Sequence, residues 1–179
     1  GKPADGESAE GKEEEEGPKQ PKEKPNFETS GKLGEQSNTM YKGIALKWAD
    51  PPEARKPDRR WRLFVFKGDD LLDTLYIHRE PSYLFGRERK VADIPTDHPS
   101  CSGQHAVLVY RLIETVRIGG EVERAIKPYI VDLNSVNGTL LNGEAIEKQV
   151  MIELREKDVL RFGNSSREFV LLSEDSVSS

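Results

Sequence analysis

HAVLVYRLIETVRIGGEVERAIKPYIVDL, residues 105–133, carries the reading of the fold class. Val, Ile, Leu and Tyr crowd two runs on either side of a glycine pair, and no part of it holds a helical period. RIGGEVER between the runs reads as the loop of a hairpin joining two of the longer strands. The pattern repeats outward. WRLFVFKG sets Trp61, Leu63 and Val65 against Arg62, Phe64 and Phe66. LLDTLYIHR, SYLFG, GTLLNG, QVMIEL, DVLRFG and REFVLLS add further short runs bounded by Gly, Asp, Asn, Pro and Ser. About nine such runs without a long helical stretch predict an all-β chain, with a sandwich preferred. No internal repeat is present.

The runs begin at Trp61, and what precedes them differs in composition. Residues 1–25 carry no aromatic residue and no Val, Ile, Leu or Met, and set eight acidic residues against five lysines. Such a segment buries too little apolar surface to offset its ordering entropy, so a disordered acidic tail is expected. It holds −3 of the overall −5 charge, and Ser8 within it lies in an acidic setting that casein-kinase-like enzymes favour. Residues 26–60 scatter Phe27, Leu33, Tyr41, Ile44, Leu46 and Trp48 among Gly, Pro and polar residues. They are expected to form an extended arm on the surface of the domain, with MYKGIALKW as one strand and ADPPEARKP extended, because residues before proline avoid the helical region. The domain itself is expected over residues 61–175, with a short tail at 176–179.

Composition excludes several classes. The single cysteine, Cys101, permits no intrachain disulfide and points to a reducing compartment. No apolar run approaches membrane-spanning length, so no membrane partner is expected. The N-terminus has the opposite character to a signal peptide, and the sequons at Asn137 and Asn164 are read as accidental. Mean hydropathy of −0.70 and a pI of about 5.4 argue against broad electrostatic capture of nucleic acid.

A sandwich carries function on the loops at one end. Three loops hold residues too specific for turning alone: LFGRERK (84–90), DHPSCSGQHAVL (97–108) and DLNSVNGT (132–139). Arg87 offers a planar fork suited to phosphate, Ser102 a hydroxyl and an amide, and Gly103 an amide with no side chain in the way. Asn137, followed by Gly138 in a turn, has one acceptor and two donors with which to bracket an extended peptide backbone. Together these are the parts of a small anion site.

The order FGR, then SxxH, then NG followed by T, on an all-β chain, resembles the forkhead-associated (FHA) phosphothreonine-binding domain over roughly residues 61–173. The resemblance implies an FHA-type β-sandwich of about eleven strands. It implies Arg87 and Ser102 as phosphate ligands, Gly103 and Val136 beside them, and Asn137 on the main chain of the bound peptide. Gly86, His105, Gly138 and Thr139 are then structural supports, with His105 bridging loops beneath the site. It also assigns the two Asn-Gly pairs of this region: Asn137-Gly138 belongs to the binding loop, while Asn142-Gly143 closes the following hairpin. Two departures are visible. The family often has Arg, Lys or Asn where this chain has Gly103, and commonly Thr where it has Val136, so weaker affinity is expected. Arg89 and Lys90 are expected to return some positive potential.

PNFETSGKL, PPEARKPDRRWRL, YLFGRERKVADIPTDHPSCSGQHAV, KPYIVDL and EKDVLRFGNSSREFVLL resemble one branch more closely. That branch holds the Smad nuclear-interacting proteins, the plant DAWDLE type and the fungal FHA subunit of the pre-mRNA retention and splicing complex. It implies a nuclear, non-catalytic adaptor for phosphothreonine-containing proteins, with spliceosomal or retention-and-splicing complex subunits as partners and, in some lineages, microRNA processing. RNA is expected only as an indirect partner, and no cofactor is expected.

Three rival readings meet objections in the residues themselves. A hydrolase built from Ser102, His105 and Asp97 fails because residues three apart on a strand face opposite ways unless an irregular loop joins them. A metal site fails because Cys101, His78, His98 and His105 lack ligand spacing. RNA tracking by EARKPDRRWR and GRERK, with Trp61 to stack a base, is opposed by interspersed acids. A scaffold that keeps the fold, binds phosphopeptide weakly or not at all and recruits partners or RNA through its arm stands as the alternative to a phosphopeptide reader.

Overall fold

The computed structural model describes residues 40–174. The acidic tail, the first part of the arm and residues 175–179 lie outside the described residues. Among the described residues thirteen strands form three sheets. A two-stranded hairpin joins β1 (Met40–Tyr41) to β2 (Ile44–Ala45). The first large sheet contains β3 (Trp61–Lys67), β4 (Asp70–Tyr76), β9 (Thr139–Leu141), β10 (Glu144–Ala145), β12 (Val159–Phe162) and β13 (Arg167–Ser173), in the order β10-β9-β12-β13-β3-β4. The second contains β5 (Ser82–Gly86), β6 (Ile94–Pro95), β7 (Ala106–Val116), β8 (Val122–Asp132) and β11 (Ile152–Glu153), in the order β11-β8-β7-β5-β6. Six and five strands make the expected eleven, and among the described residues no helix interrupts them.

Between the two sheets lies the core. Trp61, Leu63 and Val65 point inward from β3, as the alternation requires, and meet Phe85, Leu108, Tyr110, Ile130, Phe162 and Leu171. Phe85 stacks on Phe162 at 4.6 Å between centroids, and Phe169 meets both rings edge-on. Arranged this way, aromatic groups contribute about 0.5–1.5 kcal/mol per pair beyond burial of their area.

β7 departs from simple alternation, because residues 106–110 are all fully buried. Their outward members, Val107 and Val109, join Leu84, Tyr129, Val131, Leu133 and Met151 in a second cluster, covered by Trp48, Ala54 and Val91. Residues 45–55 thus roof the outer face of the five-stranded sheet. Ala54 pairs with Arg111 just beyond the start of β5, Arg55 N–H donates to the Tyr110 carbonyl, and Leu112 N–H donates to that of Glu53. Glu53 also meets the buried Arg111 guanidinium at 2.6 Å. MYKGIALKW is not one strand. Lys42 and Gly43, both at positive φ, fold it into the β1–β2 hairpin.

The long hairpin is tighter than its sequence suggests. β7 runs to Val116 and β8 starts at Val122, so Glu123 and Arg124 are strand residues. Asn142 and Gly143, at φ of 53° and 88°, close β9 onto β10 with Leu141 opposite Glu144. That is the primed turn whose twist suits a two-residue hairpin.

Candidate functional site

β5 ends at Gly86 against the loop that carries Ser102. A Cβ built on Gly86 would lie 2.0 Å from the Gly103 carbonyl oxygen, so only glycine permits this approach. The contact zips two loops together: Arg87 N–H donates to the Ser102 carbonyl at 3.0 Å and Glu88 N–H to that of Gly103 at 3.1 Å. Arg87 Nε donates to the Cys101 carbonyl at 2.9 Å, which aims the guanidinium; the residue is exposed, and among the described residues its two outer nitrogens make no hydrogen bond. Among the described residues, no hydrogen bond uses the Gly103 N–H.

The third loop joins through Ser102, whose Oγ accepts the Val136 N–H at 3.0 Å. With that lone pair used, the hydroxyl proton remains available to an incoming anion. Asn137 Nδ2 donates to the Ser100 carbonyl at 2.8 Å, and among the described residues its side-chain carbonyl makes no hydrogen bond. The Val136 side chain is 80% exposed beside it.

His105 sits fully buried under these loops. Its Nδ1 accepts the Ser102 N–H at 3.1 Å and its Nε2 faces the Gly138 carbonyl at 2.8 Å. The first contact requires an unprotonated Nδ1, so the proton is on Nε2 and the ring is neutral. Burial pushes its pKa down, partly opposed by the Gly138 carbonyl and by Asp132. Ser102 and His105 do meet across an irregular loop, but through the serine amide rather than the hydroxyl. No base therefore touches Ser102 Oγ among the described residues, and the hydrolase geometry is absent there.

Further residues hold the site that the sequence reading did not single out. Asp132 is fully buried and accepts from Ser135 N–H and Oγ at 2.8 and 2.7 Å and from Thr139 Oγ1 at 2.6 Å. Ser135 Oγ in turn accepts the Gly138 N–H, and Lys148 Nζ donates to the Ser135 carbonyl at 2.6 Å. An Asp followed three residues later by Ser is an Asx-turn signal, and it was readable. Gln104, between Gly103 and His105, had no such signal. Its amide donates to the Ala45 carbonyl and accepts the Lys47 N–H, both at 2.8 Å, and so ties residues 45–47 to the loop that carries Ser102.

One expectation changes, and one rival reading loses its aromatic residue. Arg89 is held by Asp97, its Nε 3.1 Å from Oδ1, so its charge is largely neutralised rather than lent to the site. Trp61 is 4% exposed beneath the Arg59 guanidinium and is not placed to stack a base. Cys101 is buried, its thiol pushed up by desolvation, which suits a packing role. Among the described residues no cluster of His, Cys, Asp and Glu is arranged to hold a metal.

A two-sheet β-sandwich with an FGR strand end zipped to a serine loop and an Asn-Gly loop bonded to the same serine defines the forkhead-associated fold. Residues 83–163 match the FHA domain family, and the chain belongs to it. Within it, the chain is 59% identical over 155 residues to mouse Smad nuclear-interacting protein 1, covering 87% of this chain and 40% of that protein. It is 58% identical over 156 residues to the FHA domain-containing protein DDL of Arabidopsis thaliana, covering 87% of this chain and 49% of that one. The yeast Pml1 splicing factor superposes with a TM-score of 0.60 at 28% identity, over 72% of this chain and 98% of Pml1. The chain therefore spans less than half the length of the mouse and plant relatives.

Proposed function

We propose that this chain is a non-catalytic reader of phosphothreonine in extended peptides, acting in nuclear pre-mRNA splicing or retention. One observation carries the reading: Arg87 and Ser102 are held side by side by backbone bonds, each with its remaining donors uncommitted among the described residues. A phosphothreonine dianion meets the outer guanidinium nitrogens, the Ser102 hydroxyl and the Gly103 N–H. Charge-assisted bonds of this kind are about twice as strong as neutral ones. Asn137 reads the peptide main chain through its carbonyl and remaining N–H, and Val136 offers an apolar contact. Because Gly103 and Val136 bring no polar side chain, most of the affinity rests on Arg87. The nuclear and splicing assignment is supported by the names of the relatives, a Smad nuclear-interacting protein and a splicing factor. Subunits of a splicing complex are the proposed partners.

Calorimetric titration with a phosphothreonine peptide pool and its unmodified twin tests this. Binding is expected for the phosphorylated pool alone. Arg87→Ala should weaken it about a hundred-fold, roughly 2.7 kcal/mol, with little change in stability, since the side chain is exposed. Equal affinity for both pools, or an unaffected Arg87→Ala variant, would overturn the reading.

A further inference from the structure

The sandwich opens at its loop end into a pocket of about 320 Å³. Phe162 and Phe169, both buried, line its depth, and Lys67, Ser166 and Arg167 line its rim. Lys67 ends β3 and Arg167 begins β13, and the two stand directly opposite each other in the ladder. Alternation from Val65 and Phe169 turns both side chains to the core side of the sheet, toward the mouth of the sandwich. Like charges placed opposite each other destabilise a sheet, so this pair works against the fold unless an anion joins it.

No carboxylate among the described residues supplies that anion. Asp70, the other cross-strand neighbour of Lys67, forms no ion pair with it, and Arg167 forms none with any described residue. Asp97, the carboxylate on the pocket wall, is bonded to Arg89 through both of its oxygens. Ser166 adds a hydroxyl and a main-chain N–H that no hydrogen bond uses among the described residues. An arginine fork, a serine hydroxyl and a free amide are the three kinds of donor that Arg87, Ser102 and Gly103 assemble, and here an ammonium joins them. The two sets are neighbours. Ser100, two residues before Ser102, accepts the Asn137 side-chain amide on its carbonyl and the Asn164 N–H on its hydroxyl, each at 2.8 Å. Gly163 lies so near that a Cβ built there would stand 2.7 Å from Ser100 Oγ. One residue thus separates the Asn137 loop from the turn that carries Ser166.

We propose that Lys67, Ser166 and Arg167 take a second phosphate of the same bound segment, so that the preferred ligand is a doubly phosphorylated peptide. The proposal rests on the phosphothreonine reading of the Arg87 cradle. Two uncommitted cations match a phosphate, which carries nearly two charges, whereas a carboxylate leaves one of them unanswered. Phe162 and Phe169 form a low-dielectric wall behind them, which strengthens the attraction. The step from Ser102 past Ser100 to Ser166 corresponds to about three to five residues of extended peptide at ~3.3 Å each. With the first phosphate held, the second contact is intramolecular and gains from effective concentration.

Calorimetric titration of the full chain tests this. The probes are peptides with one fixed phosphothreonine and a phosphoserine moved stepwise away from it on either side, each with a serine twin and a glutamate twin. The second phosphate should raise affinity at least ten-fold over the serine twin at separations of about three to five residues, on one side only. Glutamate at the same place should give less than about a three-fold gain. Lys67→Ala and Arg167→Ala should each remove most of the gain and bind the serine twin within about two-fold of the native chain. Arg167→Glu should abolish the gain and also raise the urea midpoint, because it gives Lys67 a partner across the ladder. Arg87→Ala should instead weaken every peptide. A gain equal at all separations, one that survives Arg167→Ala, one that glutamate matches, or one that single-stranded RNA competes away would overturn the second site and leave the Arg87 cradle standing. Serine twins that bind no better than unphosphorylated peptide would overturn the cradle reading, and this proposal with it.

Discussion

Removing the imidazole of His105 separates a structural role from a reactive one. His105→Ala takes the acceptor from the Ser102 N–H, which then stands unpaired beneath the loop. The Gly138 carbonyl loses one partner but keeps the Gly163 N–H at 2.8 Å, so it is not orphaned. One stranded donor costs about 1–3 kcal/mol. The ring also leaves a void beside Phe162, which it meets edge-on at 5.5 Å, and lost packing of a medium side chain adds about 2 kcal/mol. Together the loss is roughly 3–5 kcal/mol. Urea unfolding measures it, and titration with phosphothreonine peptide should show at least a ten-fold weaker complex because Ser102 has lost its backbone anchor. His105→Asn sharpens the test: its carbonyl can stand near the position of Nδ1 and take back the Ser102 amide, recovering about 1–2 kcal/mol. A loss under about 1 kcal/mol for the alanine variant, or no recovery with asparagine, would refute the bridging argument.

Gly86→Ala forces a methyl into the Gly103 and Gln104 backbone, so β5 and the serine loop must part. A loss of about 2–3 kcal/mol in urea unfolding and at least ten-fold in peptide affinity are expected, whereas Gly68→Ala, in open space at positive φ, should leave affinity unchanged. Glu53→Ala removes the carboxylate that faces Arg111, which is 2% exposed, and should cost about 3 kcal/mol although residue 53 precedes the first long strand. The folded pKa of His105 lies below its ordinary 6.5, so the unfolded chain binds the proton more tightly. Its contribution is complete above about pH 6.5 and is lost as pH falls through that value toward the folded pKa. Unfolding titrations of the native chain and His105→Gln should converge as pH drops from 7 to 5; the difference between them removes His78, whose pKa shifts the same way. Peptide binding should weaken below about pH 6 as the phosphate takes up its second proton.

Much of the scaffold was visible in the order of residues. β3 has one face in the core and one outside, so Trp61, Leu63 and Val65 declare themselves by alternation. The Asn142-Gly143 turn is a local matter of positive φ between two short strands and needed nothing distant. β7 is different. Both faces of residues 106–110 are covered, one by the opposite sheet and one by Trp48, Ala54 and Val91, and a strand buried on both faces shows no alternation. The site divides in the same way. Arg87, Ser102 and Asn137 were recognisable as chemical types at ordered positions, and Asp132 with Ser135 was legible as a local Asx pattern. Gln104 binds residues 57 and 59 positions away, and no local rule points to it.

Local backbone preference and the period of apolar residues suffice to make this chain a β-sandwich with turns at its three distinctive loops, because both act within a few residues. Whether those loops touch and which arginine is taken up by a carboxylate depend on contacts between segments separated in the chain. Arg87 and Arg89 are neighbours of similar promise in one dimension. Folding brings the Cys101 carbonyl to Nε of the first and the Asp97 carboxylate to the second, so the two differ in what each has left to offer.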